Sequence, residues 1–242
     1  MHTNYLIETD THSINLITNG KDDFDNIVVC FHGFNGDKWG DVYSGLKVRA
    51  SNSLVCSFDS CGHGKSPIPS NQMRLDTILK EIEYVVNFLH NLCPDKPINL
   101  VGGSYGGYRI MEYLVRYSPE VINKVIYVNP AFRILERLEE LKDFKYNELK
   151  ENDMVLMKRE LNKFMHKSFL DDLFNNNLYK QTLLKTYNST IVIGKKDSLI
   201  PVEDSLEIAN KYNYPIIYVD DQHCFENKDN WQVVADIIKN GS

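Results

Sequence analysis

Six short apolar runs, separated by polar or helix-patterned sequence, set the limits on what this chain can fold into. They are residues 27–31 (IVVCF), 53–58 (SLVCSF), 98–101 (INLV), 124–128 (KVIYV), 190–193 (TIVI) and 215–219 (PIIYV). A run that is apolar throughout, rather than alternating, suits a strand covered on both faces, as in the interior of a parallel sheet. Between the second and third runs, Leu75, Ile78, Leu79, Ile82, Val85, Val86 and Leu89 form one stripe at helical spacing. Further helices are predicted over residues 105–117, 201–212 and 230–239. Strands alternating with helices predict the α/β class: a mostly parallel, doubly wound sheet with helices on both faces. Ahead of it, residues 5–18 alternate loosely and close at Asn19-Gly20, which predicts one or two antiparallel strands.

One segment breaks the alternation. Residues 131–188 hold charge-dense helical patterns carrying Leu135, Leu138 and Leu141, then Phe164, Met165, Phe169, Leu173 and Phe174. An insertion of that length between core strands predicts a helical cap, set within a single domain spanning 1–242. The chain of 242 residues, 43% hydrophobic, is large enough for one full core. A net charge of −6 with no basic stretch speaks against a nucleic-acid partner. No apolar run approaches the roughly 20 residues a membrane span needs. Residues 1–5 (MHTNY) lack the charged and apolar regions of a secretion signal. The five cysteines follow no pairing pattern, so free thiols and a cytoplasmic location are expected. Oligomeric state is left open, a homodimer included.

The chemistry begins at residues 100–107 (LVGGSYGG), a strand running into G-x-S-x-G with a helix behind it. That pattern describes a nucleophile elbow, a turn sharp enough to require glycine on either side of Ser104. A base is expected from His223, on the loop after the last strand. His2, His12, His90 and His166 lie on early strands or helices, none after a core strand. Asp197, on the loop after the run 190–193, is the expected orienting carboxylate. Asn129 occupies the rival position but cannot stabilise an imidazolium by charge, and Asp220 and Asp221 are too near His223 in sequence to reach its ring. Two backbone donors are expected for an oxyanion: the N–H of Tyr105, after the nucleophile, and that of Phe34, in His32-Gly33-Phe34. His32 itself is read as holding its loop. Cys56, Cys61 and His63 offer no fourth ligand at a zinc-like spacing, so no metal is expected. Neither a phosphate loop nor a G-x-G-x-x-G turn occurs, so no nucleotide cofactor is implied.

Taken together, His32-Gly33-Phe34, the D-x-x-G-H-G-x-S turn at 59–66, Gly102 to Gly106, Gly194 to Asp197 and His223 resemble the α/β-hydrolase superfamily over nearly the whole chain. The resemblance implies a cofactor-free serine hydrolase of the α/β-hydrolase fold, acting on small-molecule carboxylic esters, thioesters, lactones or amides. The His-Gly-Phe motif, the turn, the insert and His223-Cys224-Phe225 are most similar to small bacterial carboxylesterases of the cinnamoyl (feruloyl) type, where the insert clamps an aromatic acyl group. The pocket is expected between the sheet edge and the insert, with Phe132, Phe144, Tyr146, Phe164, Phe169 and Tyr179 as candidates to line it. The elbow itself carries Gly103 and Tyr105, which is similar to prolyl-oligopeptidase-like peptidases. Amide or peptide hydrolysis, thioester hydrolysis and non-enzymatic ligand binding are the alternatives.

Overall fold

The computed structural model describes residues 2–240, and in it five of the apolar runs become the interior of one eight-stranded sheet, while the sixth, 215–219, forms a half-exposed edge. In chain order the elements are β1 (Thr3–Glu8), β2 (Ser13–Thr18), β3 (Asn26–Phe31), α1 (Asp41–Arg49), β4 (Ser53–Phe58), α2 (Leu75–Leu92), β5 (Ile98–Gly103), α3 (Tyr105–Tyr117) and β6 (Ile122–Val128). There follow α4 (Ile134–Lys142), β7 (Met154–Lys158), β8 (Lys163–His166), α5 (Lys167–Asn175), β9 (Asn188–Gly194), α6 (Val202–Tyr212), β10 (Ile216–Val219) and α7 (Trp231–Lys239). The large sheet runs β1-β2-β4-β3-β5-β6-β9-β10. Its first two pairings are antiparallel and every later one is parallel.

Adjacent residues of one strand serve opposite layers. Val29, Leu100 and Val125 join the core beneath α2 and α3, while Val28, Val101 and Ile126 join the core beneath α1 and α7. The two-residue period of a strand requires this division, and two covered faces explain why the five interior runs are apolar throughout. Register then levels the strand ends. Phe31 lies beside Gly102, Gly103 beside Val128, Val128 beside Val192, and Gly194 beside Val219. The loops after β3, β5, β6, β9 and β10 therefore open along one edge, where open α/β sheets place their ligands.

Two elements depart from the sequence expectations. Helix α1 was not predicted, because Gly45 interrupts its weak apolar pattern. The glycine admits a neighbour: a Cβ at position 45 would lie 2.4 Å from the Trp231 ring at the start of α7. The segment 131–188 is not helical throughout. Between α4 and α5 it forms an antiparallel hairpin, β7 with β8, pairing Met154 with His166 and Lys158 with Lys163. Phe164 and Met165, read above as helix-stripe residues, lie on β8. The run 154–157 (MVLM) is apolar at every position but short and set among charged, helix-patterned residues; of it, Val155 and Met157 are buried. Among the described residues no helix is long and apolar enough to cross a membrane.

Candidate active site

Ser104 stands between β5 and α3 at φ 52°, ψ −120°, a conformation that L-residues rarely adopt. Its neighbours make the turn affordable only as glycines. A Cβ on Gly106 would sit 2.3 Å from the Phe31 carbonyl oxygen, and one on Gly102 would sit 2.6 Å from the Gly106 carbonyl carbon. The turn is also tied down. Ser104 N–H donates to the Val128 carbonyl at 2.9 Å, and the Ser104 carbonyl accepts from Gly107 at 2.9 Å and Ala131 at 3.1 Å. The two unusual elbow residues each have a local cause. A Cβ on Gly103 would meet a Val42 methyl at 2.9 Å. The Tyr105 ring lies wholly buried below the elbow, stacked with His63 and Tyr108 at 5.9 and 6.0 Å between centroids.

His223 and Asp197 meet at the same sheet edge. His223 Nδ1 lies 2.7 Å from Asp197 Oδ2, and the Asp197 side chain is 3% exposed. The other carboxylate oxygen accepts from the Leu199 and Ile200 amides at 2.8 and 3.1 Å, which fixes its direction. The rival acids are otherwise employed. Asp220 pairs with Lys196 at 2.9 Å on the surface. Asp221 shapes the histidine loop, accepting from the Gln222 and Glu226 amides and from Asn230 Nδ2 at 2.8 to 2.9 Å. Burial raises the Asp221 pKa, but the donors from Asn230, Gln222, Asn227 and Glu226 together carry it below the ordinary value.

Asn129, at φ 43° after β6, takes a role that sequence reasoning missed. Its Nδ2 donates to the Gln222 carbonyl at 3.2 Å and the His223 carbonyl at 2.9 Å. Its Oδ1 accepts from Gly194 N–H at 2.7 Å. One buried amide thus clasps the ends of β6 and β9 to the histidine loop. The sequence shows only a polar residue at a strand end, a position that a carboxylate could also occupy.

The loop after β3 supplies the remaining part. A Cβ on Gly33 would lie 3.4 Å from Ser104 Cβ, so this loop passes close to the hydroxyl. Neither Phe34 N–H nor Tyr105 N–H has a hydrogen-bond partner among the described residues. His32 is a strut: its Nδ1–H donates to the Gly33 carbonyl at 2.9 Å and its Nε2 accepts from the Ser60 amide at 3.3 Å. Burial, then the nearby Arg109 charge, pushes the His32 pKa well below the ordinary imidazole value, so the ring is neutral. Buried Arg109 braces the same loop, donating to the His32 carbonyl at 2.6 Å and to Ser60 Oγ. The turn at 59–66 is likewise structural, with Asp59 accepting from the Lys38 and Lys65 amides at 2.8 and 3.0 Å. From the insert, the Met157 carbonyl of β7 accepts from Asn35 Nδ2 at 3.1 Å and from Lys142 Nζ at 2.7 Å.

Ser104, His223, Gly33 and Phe34 border one cavity of about 370 Å³, walled on its far side by α4. None of the six aromatic candidates lines it. Phe132, Tyr146 and Tyr179 border a different cavity of about 420 Å³ between α4, α5 and the segment after α5. Phe169 is core. A hydroxyl on a strained turn, an imidazole backed by a carboxylate, and two unpaired N–H groups are the parts that acyl transfer requires.

Comparison with known proteins agrees with this architecture. A sequence profile described as the alpha/beta hydrolase fold matches residues 26–170. A proline iminopeptidase, PfmaB, of Pestalotiopsis fici is 23% identical over 229 residues, covering 76% of this chain and 80% of its own. The ferulic acid-bound structure of Est1E from Butyrivibrio proteoclasticus superposes with a TM-score of 0.80 at 21% identity, covering 97% of this chain and 96% of that one. Alpha/beta hydrolase domain-containing protein 10 from mouse gives 0.74 at 18% identity, covering 98% and 97%.

Proposed function

Since the chain belongs to the alpha/beta hydrolase fold family, we propose that it is a serine hydrolase that cleaves a carboxylic ester through an acyl-enzyme intermediate. Ser104 attacks the ester carbonyl while His223 Nε2 takes its proton. Asp197, on the other ring nitrogen, holds the imidazole in the needed tautomer and stabilises its charged form. The Phe34 and Tyr105 N–H groups receive the oxyanion. His223 returns the proton to the departing alcohol, then activates the water that releases the acid. The observation that carries this reading is the 2.7 Å contact between His223 and a buried Asp197, with the imidazole bordering the cavity that Ser104 also borders.

The test is covalent. A small fluorophosphonate should label the wild-type chain at Ser104, and Ser104→Ala should lose both the label and turnover. Removal of a triad serine lowers turnover on the order of 10⁶-fold, so near-normal activity in Ser104→Ala would end the proposal. Labelling also separates a working nucleophile from a non-enzymatic binding protein of the same fold. The similarity to an iminopeptidase motivates a second reading, aminoacyl amide hydrolysis, with the same residues in the same roles. Parallel assays on aryl esters, acyl-chain esters and aminoacyl amides decide between the two.

A further inference from the structure

Resting on the serine-ester reading above, the geometry points to a specific acyl group: we infer that the substrate carries a flexible aliphatic acyl chain of about eight carbons, laid along α4, rather than a flat aromatic acid.

The wall facing Ser104 is a helical stripe. Ile134, Leu138 and Leu141 recur at i, i+4 and i+7 on α4, so they stack on one side of the helix. Leu199, Ile200 and Val42 border the same cavity from the body of the molecule. All six side chains are aliphatic. The stripe has a direction, because the Ala131 amide bonds to the Ser104 carbonyl and α4 starts three residues later. Ile134 is therefore the near end and Leu141 the far end. Only the far end opens to solvent, with Leu141 at 56% exposed against 5% for Ile134 and 1% for Leu138. Seven residues of helix rise about 10 Å. A zigzag chain of ~1.5 Å carbon–carbon bonds covers that length with roughly eight carbons.

A flat aromatic acyl group would look for ring faces, or for a polar partner at its far end. The aromatic rings at this cavity are already engaged. Phe34 meets His63 and Tyr105 edge-on at 5.5 Å, and Trp231 packs on Phe225 at 5.2 Å. Of the two cations beside the stripe, Lys142 donates to the Met157 carbonyl at 2.7 Å and Arg137 pairs through Nη1 with Glu140 at 2.7 Å. The buried Arg137 Nε makes no hydrogen bond among the described residues and lies 3.7 Å from Asp204. The aliphatic stripe is free to receive a chain, and its exposed far end at Leu141 lets one enter.

The experiment compares 4-nitrophenyl esters from acetyl to dodecanoyl with 4-nitrophenyl cinnamate, alongside labelling by ethyl and octyl fluorophosphonates. Each buried methylene is worth up to about fourfold in kcat/KM. The expected profile rises about two- to fourfold per carbon to near octanoyl and then levels, with cinnamate at least tenfold below octanoate. Leu138→Trp should lower the octanoyl-to-acetyl ratio at least tenfold. Because Leu138 is buried, Leu141→Asp on the exposed end provides a second arm, with the ratio expected to fall about threefold or more. A flat chain-length profile, a preference for cinnamate, or unchanged ratios in both variants would overturn the acyl assignment while leaving the nucleophile intact. Failure of both phosphonates to label Ser104 would overturn the nucleophile, and the acyl assignment with it.

Discussion

At the scale of single residues, the strand ends were the informative positions. Ser104, Asp197 and His223 could be placed from the sequence because each follows an apolar run, and register brings those ends together. Asn129 also follows such a run, yet its function was hidden, since a sequence gives the residue type and not the groups it faces. It faces two carbonyls and one amide, a set that an amide side chain satisfies and a carboxylate does not. Asn129→Asp should therefore repel the Gln222 and His223 carbonyls, and Asn129→Ala should leave Gly194 N–H buried and unpaired. We expect each to destabilise the fold by about 2–4 kcal/mol, the sum of lost bonds and an unsatisfied donor. Each should also reduce kcat at least tenfold through the displaced histidine loop. Urea unfolding and steady-state kinetics on both variants check this, and an Asn129→Asp protein of native stability and rate would refute the clasp.

At the scale of elements, the long amphipathic helices were readable from one strong period and the core strands from unbroken apolar runs. Helix α1 and the β7–β8 hairpin were not, for different reasons. The hairpin run is only four apolar residues set in charge-dense, helix-patterned sequence, and α1 is broken by a glycine whose purpose lies in α7, far along the chain. Gly45→Ala weighs two effects directly. Helix propensity favours alanine by about 1 kcal/mol, whereas forcing a methyl into the Trp231 ring costs typically 1–3 kcal/mol. With ring carbons at 2.4 to 2.6 Å, the clash should win and the urea midpoint should fall. Since Trp231 also borders the cavity that Ser104 and His223 line, KM for the proposed ester should rise in the same variant.

For the whole molecule, the buried ionisable groups make stability depend on pH in two opposed ways. Burial pushes the His63 pKa down from 6.5 to about 3, so this ring gains its proton more readily in the unfolded chain. Its contribution is complete above pH 6.5 and is lost as the pH falls toward 3. Glu112 runs the other way, because burial raises its pKa from 4.5 to about 8. The folded state holds that proton, so stability present below pH 4.5 is lost as the pH climbs toward 8. Glu112→Gln keeps the shape and removes the titration. Its urea midpoint should gain on wild type steadily from pH 5 to pH 8, by at most about 1.4 kcal/mol per pH unit, and a constant difference would show that Glu112 ionises freely. The chain's connectivity also sets when such a molecule can become active. Ser104 and both proposed oxyanion donors lie before the insert, whereas Asp197 and His223 lie after it. The two groups are united only when β9 docks on β6, which closes a loop of ~60 residues and must overcome its entropy before any contact repays it. Recovery of activity during refolding is therefore tied to that late pairing, however early the elbow takes its shape.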